Sequence, residues 1–577
     1  MSTLHHRFIA AAAVLIPMAV TLFYAGSCSV SSMAENYPQT LTVDVFDSLA
    51  NYQGIQSGWF AGLVLDRFNM RLNIIASNVA GGGDTMYQTR AAAGELGDLI
   101  ICDGSNHNLQ ELVTAGLVMD MSSLLQDKAI MQYGLAIRAL NDPISDTAIY
   151  AVPSEISSRN CLQYSENEEP ACGPYLRYDL YTAIGSPRIN TLEDLLPVLK
   201  EMQKASSVGE GREPVYGFSL FKDWDNNMME AARQFACFYG YEEYGFILYR
   251  ADGTDYQNIL DRDSIYQRIL KFYFDANQMG LVDPDSPNQK YMDVYHKYAD
   301  GSILFSALPL LGKSAYNTET RTEQGSGFMF VPIDDMQILL KGCLPLGNAG
   351  KIIAIGAGAE DPERLAAFID WLYSPEGIYA ASALPATGTA GPEGLTWEMS
   401  DEGPVLTKFG LNAVSNENPQ VPESWGGGTW NAGVSQLNFN SISLIDNAPN
   451  GYPYLYTLWD SYRQSHVSAL DLAWQEDMQA ENALDYLLKH NRYLICPGIH
   501  YQTAGESSEI STLRRQCRNI ITDYSWKMIY ARDEEAFYAL QDEMRSAAES
   551  LGYSQVLEED LRNARAQNDL RAEAAAL

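Results

Sequence analysis

Two tryptophans flank a run of three glycines in the stretch ESWGGGTWNAG. Gly426, Gly427 and Gly428 allow close approach and unusual backbone angles between Trp425 and Trp430. Sugar rings stack their C–H faces on aromatic side chains while their hydroxyl groups seek polar partners. The pattern therefore predicts a stacking platform for a sugar. The alternative is a tight turn with both rings packed inward, because tryptophan is mostly buried in proteins.

Polar side chains follow a predicted buried strand in the stretch DLIICDGSNHN. In open α/β sheets, ligands meet the loops at the carboxyl ends of the strands. Asp103, Ser105 and Asn106 are placed there and can hydrogen-bond the hydroxyl groups of a ligand. Alternatively, Asp103 or Ser105 caps the helix that follows. The sequence leaves both interpretations open.

Two further stretches contain candidate ligand-binding side chains. Glu155, in VPSEISS, can accept two sugar hydroxyls or merely face water. Trp224, in FKDWDNNM, has acidic and amide neighbours that a core tryptophan rarely has. We therefore place Trp224 in a ligand-binding cleft and keep Glu155 as a candidate beside it.

Signals for catalysis are weak throughout the chain. The stretch LPLGNAGKII resembles a phosphate-binding loop, but Pro345 stands where the first glycine belongs and Ile352 follows the lysine. The chain contains neither GxSxG nor HExxH, and with 73 Asp and Glu residues a glycosidase pair cannot be chosen by spacing. The 7 histidines show no metal-ligand spacing and the 8 cysteines include no CxxC pair. We predict no catalytic residue, no cofactor and no metal site.

Composition limits the partners of the chain. Its 577 residues carry 38 Lys and Arg against 73 Asp and Glu, a formal net charge of −35. Such a surface repels phosphate backbones, so we expect no nucleic-acid binding. No apolar run beyond the first segment approaches the roughly 20 residues of a membrane-spanning helix. We expect a soluble mature protein that is held to a membrane only at its start.

The first residues have the plan of an export signal. A short basic stretch, HHR, precedes the apolar core FIAAAAVLIPMAVTLFYAG, and small residues lead into Cys28. The sequence AGSC resembles the bacterial lipobox, in which the cysteine thiol receives a diacylglyceryl group. We predict a signal peptide over residues 1–27, lipidation of Cys28, and a flexible tether over residues 28–38. Ordinary signal cleavage without lipidation is the alternative.

Cys161 and Cys172 flank the loop sequence LQYSENEEPA. A disulfide between them would suit an exported protein. The alternative is that both thiols are reduced and buried, as small apolar side chains often are.

Strands and helices alternate along the first part of the chain. LTVDVF, LNIIA and GDLIICD have strand patterns, and WFAGLVLDRFN and DTMYQTRAAAGEL between them have helical spacing. Further along, DPERLAAFIDWLYSPEG opens a helix with Asp361 as N-cap and Pro362 in the first turn. The chain beyond about Leu513 is nearly all helical in pattern. This alternation predicts an α/β fold with a largely parallel sheet covered by helices.

Several of these stretches resemble one protein family, in the same order along residues 40–565. AAAGELGDLIICDG is similar to its A-x-G-x-x-P-D-I segment, AIYAVPSE to K-I-Y-A-L-P, and FIDWLYSPEG to F-L-D-Y-L-Y-S-x-E-G. The resemblance is to the extracellular solute-binding proteins (family 1) of bacterial ABC importers. Within them it is to the long carbohydrate-binding lipoproteins of aldouronate type.

The resemblance implies a two-lobed periplasmic-binding-protein-like fold of type II. Each lobe would have a mostly parallel sheet with flanking helices, and the C-terminal region would be helical. Lobe 1 would comprise residues 39–150 with 300–375, and lobe 2 residues 151–299 with 376–577.

The resemblance also implies a function in binding rather than catalysis. The protein would capture an oligosaccharide in the cleft between the lobes and deliver it to the permease subunits of an ABC transporter. It would be a monomer, lipid-anchored at the extracytoplasmic face of the cell membrane. A secreted glycoside hydrolase and a non-transport surface receptor for peptides are the alternatives. Where relatives have an acidic calcium loop this chain reads ASSVGEGREPVYG, so no calcium is expected there.

Overall fold

A computed structural model describes most of the chain. The described residues are 37–80, 84–105, 107–206, 214–415, 417–499 and 506–576. The predicted signal peptide, Cys28, most of the tether and Asn106 lie outside the described residues, so those predictions stay predictions.

The strands are numbered in chain order. They are β1 Leu41–Asp47, β2 Gly54–Ile55, β3 Met70–Ile75, β4 Leu99–Cys102, β5 Val152–Ser154, β6 Tyr175–Arg177, β7 Tyr241–Tyr244, β8 Ile247–Arg250, β9 Tyr256–Asn258, β10 Phe305–Ser306, β11 Phe328–Phe330, β12 Ile338–Lys341, β13 Asn348–Ile355, β14 Trp397–Ser400, β15 Gly403–Leu406 and β16 Tyr493–Cys496.

The α-helices are numbered in the same way. They are α1 Gly58–Phe68, α2 Ser77–Ala80, α3 Asp84–Ala92, α4 Asn108–Thr114, α5 Ser122–Leu125, α6 Gly134–Asn141, α7 Tyr178–Ala183, α8 Leu195–Ser206, α9 Glu230–Ala236, α10 Ile265–Gln278, α11 Tyr291–Asp300, α12 Gly312–Tyr316, α13 Glu319–Glu323, α14 Pro362–Leu372, α15 Pro375–Ala381, α16 Lys408–Val414, α17 Trp430–Gly433, α18 Asp460–Ser465, α19 Ala469–Met478, α20 Ala483–His490, α21 Ser508–Ile529, α22 Glu534–Ser550 and α23 Tyr553–Ala576.

One sheet of six strands, in the order β2-β3-β1-β4-β13-β5, organises the N-terminal part of the chain. β1 runs parallel to β3 and β4, but β13 is antiparallel to β4 and β5, and β2 is antiparallel to β3. β13 enters after a long excursion of the chain outside this sheet, so no βαβ crossover sets its direction. The α/β class is confirmed. β1, β3, β4 and β5 run in one direction and β2 and β13 run against them, so the sheet is mixed, with most of its strands parallel as predicted.

A second, smaller sheet has the order β10-β6-β11, and both of its pairings are antiparallel. Parallel bridges between Tyr216 and Ile303 and between Phe218 and Val282 lie beside it. The chain passes through α7 to α11 between β6 and β10, and through α12 and α13 between β10 and β11. The two strand pairings of this sheet depart from the predicted mostly parallel arrangement.

Buried side chains form two large cores. The first core packs α1 and α14 against the six-stranded sheet and includes Val45, Ile74 and Phe368. The second core surrounds the smaller sheet and includes Phe218 and Phe272 from its neighbouring elements. Each core buries large aromatic side chains, each of which removes a large apolar area from water.

The division between the cores differs from the predicted lobe ranges. Phe305 and Leu340, from the range assigned to lobe 1, pack in the second core. Trp397 and Trp459, from the range assigned to lobe 2, pack in the first core. The resemblance located the lobes by short motifs that do not mark where the chain changes core. The exact lobe boundaries stay a prediction.

The C-terminal helices α21, α22 and α23 pack on the second core, which confirms the helical C-terminal region. Asp560 of α23 is fully buried, accepts a hydrogen bond from the backbone of Phe246 at 2.8 Å, and pairs with Arg514 at 2.5 Å. Removing one partner of such a buried pair leaves an uncompensated charge, which costs about 3–5 kcal/mol. The pair therefore fixes α23 against α21 and the β7–β8 hairpin.

The predicted disulfide between Cys161 and Cys172 is not formed. Both are free thiols, and each has a different environment. The Cys161 thiol lies 3.7 Å from the carbonyl oxygen of Ala574. The Cys172 thiol instead hydrogen-bonds Cys237, and that bond lowers the pKa of Cys237. The loop between the two cysteines thus leads them to separate neighbours.

Within the described ranges, none of the helices combines the length and the apolar character that crossing a bilayer requires.

Candidate functional site

An open cavity of about 500 Å³ lies between elements that belong to the two cores. One wall is the segment 457–467, which contains α18 and the buried Trp459 of the first core. The other wall is built from β11, α12 and the start of α19 and α20, which pack on the second core. The volume of the cavity is in the range of small-molecule sites.

Aromatic rings form one side and the floor of this cavity. Tyr462 and His466 are four residues apart, so they project from the same face of the chain at α18. Their rings stack with centroids 3.8 Å apart and an interplanar angle of 15°. Below them, the indole nitrogen of the buried Trp474 donates to the carbonyl oxygen of Phe330 at 2.6 Å, which fixes the ring in place. Tyr462 is half-buried and the His466 ring stacked on it is exposed, so a ligand in the cavity can reach this aromatic pair.

Two adjacent glutamates, Glu168 and Glu169, each pair with a cationic side chain of the cavity. Nε of Arg463 donates to the Glu168 carboxylate at 2.7 Å. The neighbouring carboxylate of Glu169 pairs with the ammonium of Lys313, on α12. Burial alone would lower the pKa of Lys313, but the nearby Glu169 and Asp471 raise it above its usual value, so Lys313 stays charged. Glu168 and Glu169 thereby join α18 to α12.

Two helices begin at the cavity, and each is capped by the chain itself. At α19, the carboxylate of Asp471 accepts from the backbone and the hydroxyl of Ser468, at 3.0 and 2.6 Å. At α20, the side-chain oxygen of Asn482 accepts from the backbone of Asp485 at 2.9 Å. Each helix start therefore has a side-chain oxygen of the chain itself as an N-terminal cap.

The predicted residues Asp103, Ser105 and Glu155 lie elsewhere, at the carboxyl edge of the six-stranded sheet. One Asp103 oxygen accepts from the backbone and the hydroxyl of Ser105, at 2.8 and 2.5 Å, as in a turn that precedes a helix. Glu155 has φ = 52° and accepts from the amide of Asn348 at 3.1 Å. None of the three lines the 500 Å³ cavity. Their role in ligand binding stays a prediction.

Asp47, at the end of β1, belongs to the same edge and was missed. It is fully buried, and burial raises the pKa of its carboxyl despite a 2.7 Å bond from the backbone of Asn438. The amide oxygen of Asn438 in turn accepts from Lys351 at 2.8 Å. In LTVDVFD, an acidic residue directly after a buried strand was the available signal.

The predicted platform at Trp425 and Trp430 is wrong for Trp430. Its side chain is 2% exposed and stacks on Trp59 inside the first core, with centroids 4.8 Å apart and planes 9° from parallel. Trp425 is half-buried against the same core. The three glycines between them all have positive φ, so the backbone of a tight turn explains them without a ligand.

Trp224 is half-buried on the second core and does not line the cavity. Its ring stacks on Tyr291 at 5.0 Å and meets the edge of Phe221 at 4.8 Å. Its neighbours Asp223 and Asp225 accept from the backbone of Tyr291 at 2.9 Å and from the Trp526 indole at 2.7 Å, while the ring packs against other aromatic side chains. Its predicted position in a cleft stays untested.

No sequence pattern predicted the residues that form the cavity. Glu168 and Glu169 appeared only as an acidic run between two cysteines, and Lys313 lies in an unremarkable short helix. The spacing of Tyr462 and His466 is helical and was the one local signal available. Among the described residues, no group of His, Cys, Asp and Glu has the arrangement of a metal site.

Comparison with known proteins gives structural similarity alone. No family model matches the chain, and no curated protein matches it. An HMO-binding, ABC-transporter-associated solute-binding protein from Bifidobacterium longum infantis superposes with a TM-score of 0.57 at 11% identity, covering 91% of this chain and 98% of that one. An alginate-binding protein, solved without calcium, gives 0.55 at 13% identity, covering 91% and 98%. The S. pneumoniae ABC-transporter substrate-binding protein FusA, in complex with kestose, gives 0.54 at 14%, covering 93% and 99%.

The chain has the fold of these substrate-binding proteins. The match extends over nearly the whole length of each, so both cores and the helical C-terminal region belong to the shared fold. In a substrate-binding fold with two cores, a cavity between them is where a closing motion can enclose a ligand. The cavity at Tyr462 has that location.

Proposed function

We propose that this protein is an extracytoplasmic binding protein that captures an oligosaccharide and delivers it to the permease of an ABC importer. The observation that carries the proposal is the 500 Å³ cavity between the two cores, with an accessible tyrosine and many hydrogen-bond acceptors. The similar structures support a saccharide, because their names describe binding of alginate, kestose and HMO.

The chemistry of the cavity suits a sugar. The face of Tyr462 offers a stacking surface for the C–H face of a sugar ring. Asp460 and Glu481 at the rim present carboxylate oxygens to hydroxyl donors, and Gln464 and Gln475 present amides that both donate and accept. A polyhydroxylated ring satisfies such a site better than an apolar ligand does, because unpaired polar groups are costly to desolvate.

Capture and release would follow from movement between the cores. We propose one lobe from residues 37–156 with 344–467, and a second from residues 157–343 with 468–576, as the packing of buried side chains suggests. Closing the lobes around the connecting segments would enclose the sugar. The closed form of a single copy would then dock on the permease.

The protein would be held at the outer face of the membrane by lipid on Cys28. Two or three acyl chains hold a protein firmly, whereas a single chain binds only marginally. The tether between Cys28 and β1 would be short, because β1 starts at Leu41.

Direct binding measurements test the proposal. The chain from residue 37 onward is mixed with a panel of oligosaccharides and a panel of peptides, and thermal stability is measured. A saccharide at a hundred times its dissociation constant should stabilise the fold by about 2.7 kcal/mol. The saccharide is then recovered and analysed, because turnover would indicate a glycoside hydrolase. Stabilisation by peptides alone would indicate a receptor of another kind.

A tyrosine variant links the binding to the cavity. Tyr462→Ala should weaken saccharide binding by about 1–3 kcal/mol, or roughly ten- to a hundredfold, as other stacking contacts do. Tyr462→Phe, which keeps the ring, should bind nearly as the parent. The control is Tyr538→Ala on α22, which removes an exposed ring outside the cavity. Equal affinity of Tyr462→Ala and the parent would contradict the assignment of the cavity.

A further inference from the structure

The cavity carries a strong excess of negative charge. Five of its lining side chains are acidic and two are basic, which gives a formal charge of −3. The acidic residues are Glu168, Glu169, Asp460, Asp471 and Glu481. This local sign agrees with the formal charge of −35 of the whole chain.

Both cations of the cavity are already engaged. Arg463 is bonded to Glu168 at 2.7 Å and Lys313 is paired with Glu169. An anionic ligand would have to displace a carboxylate that the chain itself supplies at high local concentration. Within the part of the chain that the structure describes, no Lys or Arg forms an ion pair with Asp460 or Glu481, so these two remain as uncompensated negative charges at the rim.

The helix ends at the cavity do not offer an alternative anion site. Backbone N–H groups at a helix start attract carboxylates and phosphates. At the start of α19 the Asp471 carboxylate accepts from the backbone of Ser468, and the Ser468 hydroxyl accepts from the backbone of Asp471. At the start of α20 the Asn482 side-chain oxygen accepts from the backbone of Asp485, and the Glu168 carbonyl oxygen accepts from the backbone of Leu484. The backbone of Glu481, just before α20, donates to Asp485 at 2.8 Å. An anion would therefore meet carboxylates where it needs donors.

We propose, on the basis of the function proposed above, that the cavity selects its saccharide by charge. Neutral sugars and sugars that carry an ammonium group are accepted, with the ammonium-bearing sugars bound more tightly, and uronates are rejected. Hydroxyl and ammonium groups donate to the rim carboxylates of Asp460 and Glu481. A uronate carboxylate is repelled by them and finds no free cation. This distinguishes the chain from a protein built to take alginate, which is a polyuronate.

A charge-sorted panel tests the inference. The probes are β-1,4-linked tetramers of glucose, glucosamine and glucuronate, which share one backbone, within a library of neutral, amino and uronic oligosaccharides. Titration calorimetry at pH 6 is expected to rank amino above neutral above uronic members, with at least about tenfold between matched neutral and uronic members. The differences in affinity between the three classes should shrink at high salt, because exposed charges are screened.

Two double variants assign the effect to the rim. Asp460→Asn with Glu481→Gln should bring the matched uronic and neutral members to within about threefold. Asp263→Asn with Glu558→Gln makes the same charge change at exposed positions outside the cavity and should leave the ranking unchanged. Uronic members that bind as tightly as their neutral counterparts would overturn the inference but not the proposed function. Failure of every saccharide class to bind would overturn the proposed function and the inference together.

Discussion

Truncation of Trp430 distinguishes a core residue from a ligand platform. Trp430→Ala removes a side chain that is 2% exposed and stacked at 4.8 Å on Trp59. Such buried tryptophan truncations cost about 3–5 kcal/mol, because the transfer free energy is lost and a cavity remains. The bond from the Trp59 indole, 3.3 Å long, is accepted by the backbone carbonyl of residue 430, so it survives the substitution. The expected loss is therefore one of packing.

The assay is equilibrium urea unfolding followed by circular dichroism, with saccharide affinity measured separately on the folded protein. Two cores can unfold in separate transitions, so the free energy is read from the transition that Trp430→Ala shifts. Trp425→Ala is the control in the same turn, and its half-buried ring predicts a smaller loss of about 1–2 kcal/mol. Affinity should be unchanged in both variants. A loss of under about 1 kcal/mol from Trp430→Ala, together with tenfold weaker binding, would refute the core assignment and restore the platform.

Two further predictions concern stability at acidic pH and the membrane anchor. Burial would raise the pKa of Asp283, but bonds from Lys297 at 2.7 Å and Ser219 at 2.6 Å bring it below its usual value. The contribution of Asp283 to stability is therefore present above about pH 4 and is lost as the pH falls through the lower folded-state pKa. Asp283→Asn should make the free energy of unfolding less dependent on pH in this acidic range. The same substitution at the exposed Asp523 should not. Cys28→Ala should move the protein from the membrane fraction to the soluble fraction with unchanged saccharide affinity, and a variant that stays membrane-bound would contradict the lipid anchor.

Local rules predicted what depends on local geometry. Asp361 caps α14 as expected, and its carboxylate accepts from the backbone of Arg364 at 3.1 Å. Hydrophobic spacing also placed β1, β3 and β4 with the helices between them. These features depend on residues within one or two turns of each other, so a single sequence contains enough information. The direction of β13 depends on the path of almost two hundred intervening residues, and no local pattern encodes it.

The glycine-flanked tryptophans show why the site itself was harder to predict. Three consecutive glycines report that the backbone needs positive φ, and both a ligand loop and a tight turn meet that need. The difference lies in whether Trp59, some 370 residues earlier, reaches the ring of Trp430. Sequence composition around a tryptophan is a weak guide because its ring extends well beyond its own backbone neighbours.

The cavity was the hardest feature to predict, because its charge depends on which side chains pair in the folded chain. Glu168 is paired with Arg463, which is 295 residues away, and Glu169 with Lys313, which is 144 residues away. Each cation alone would suggest an anion site, and each carboxylate alone a cation site. Once paired they cancel, which leaves Asp460, Asp471 and Glu481. Asp471 is bonded to Ser468 at the start of α19, so the charge that a ligand meets at the rim is set by Asp460 and Glu481, which form no ion pair with a Lys or Arg among the described residues. Ligand charge preference is thus a property of which pairs form, so it can be tested by removing the unpaired members and leaving the pairs intact.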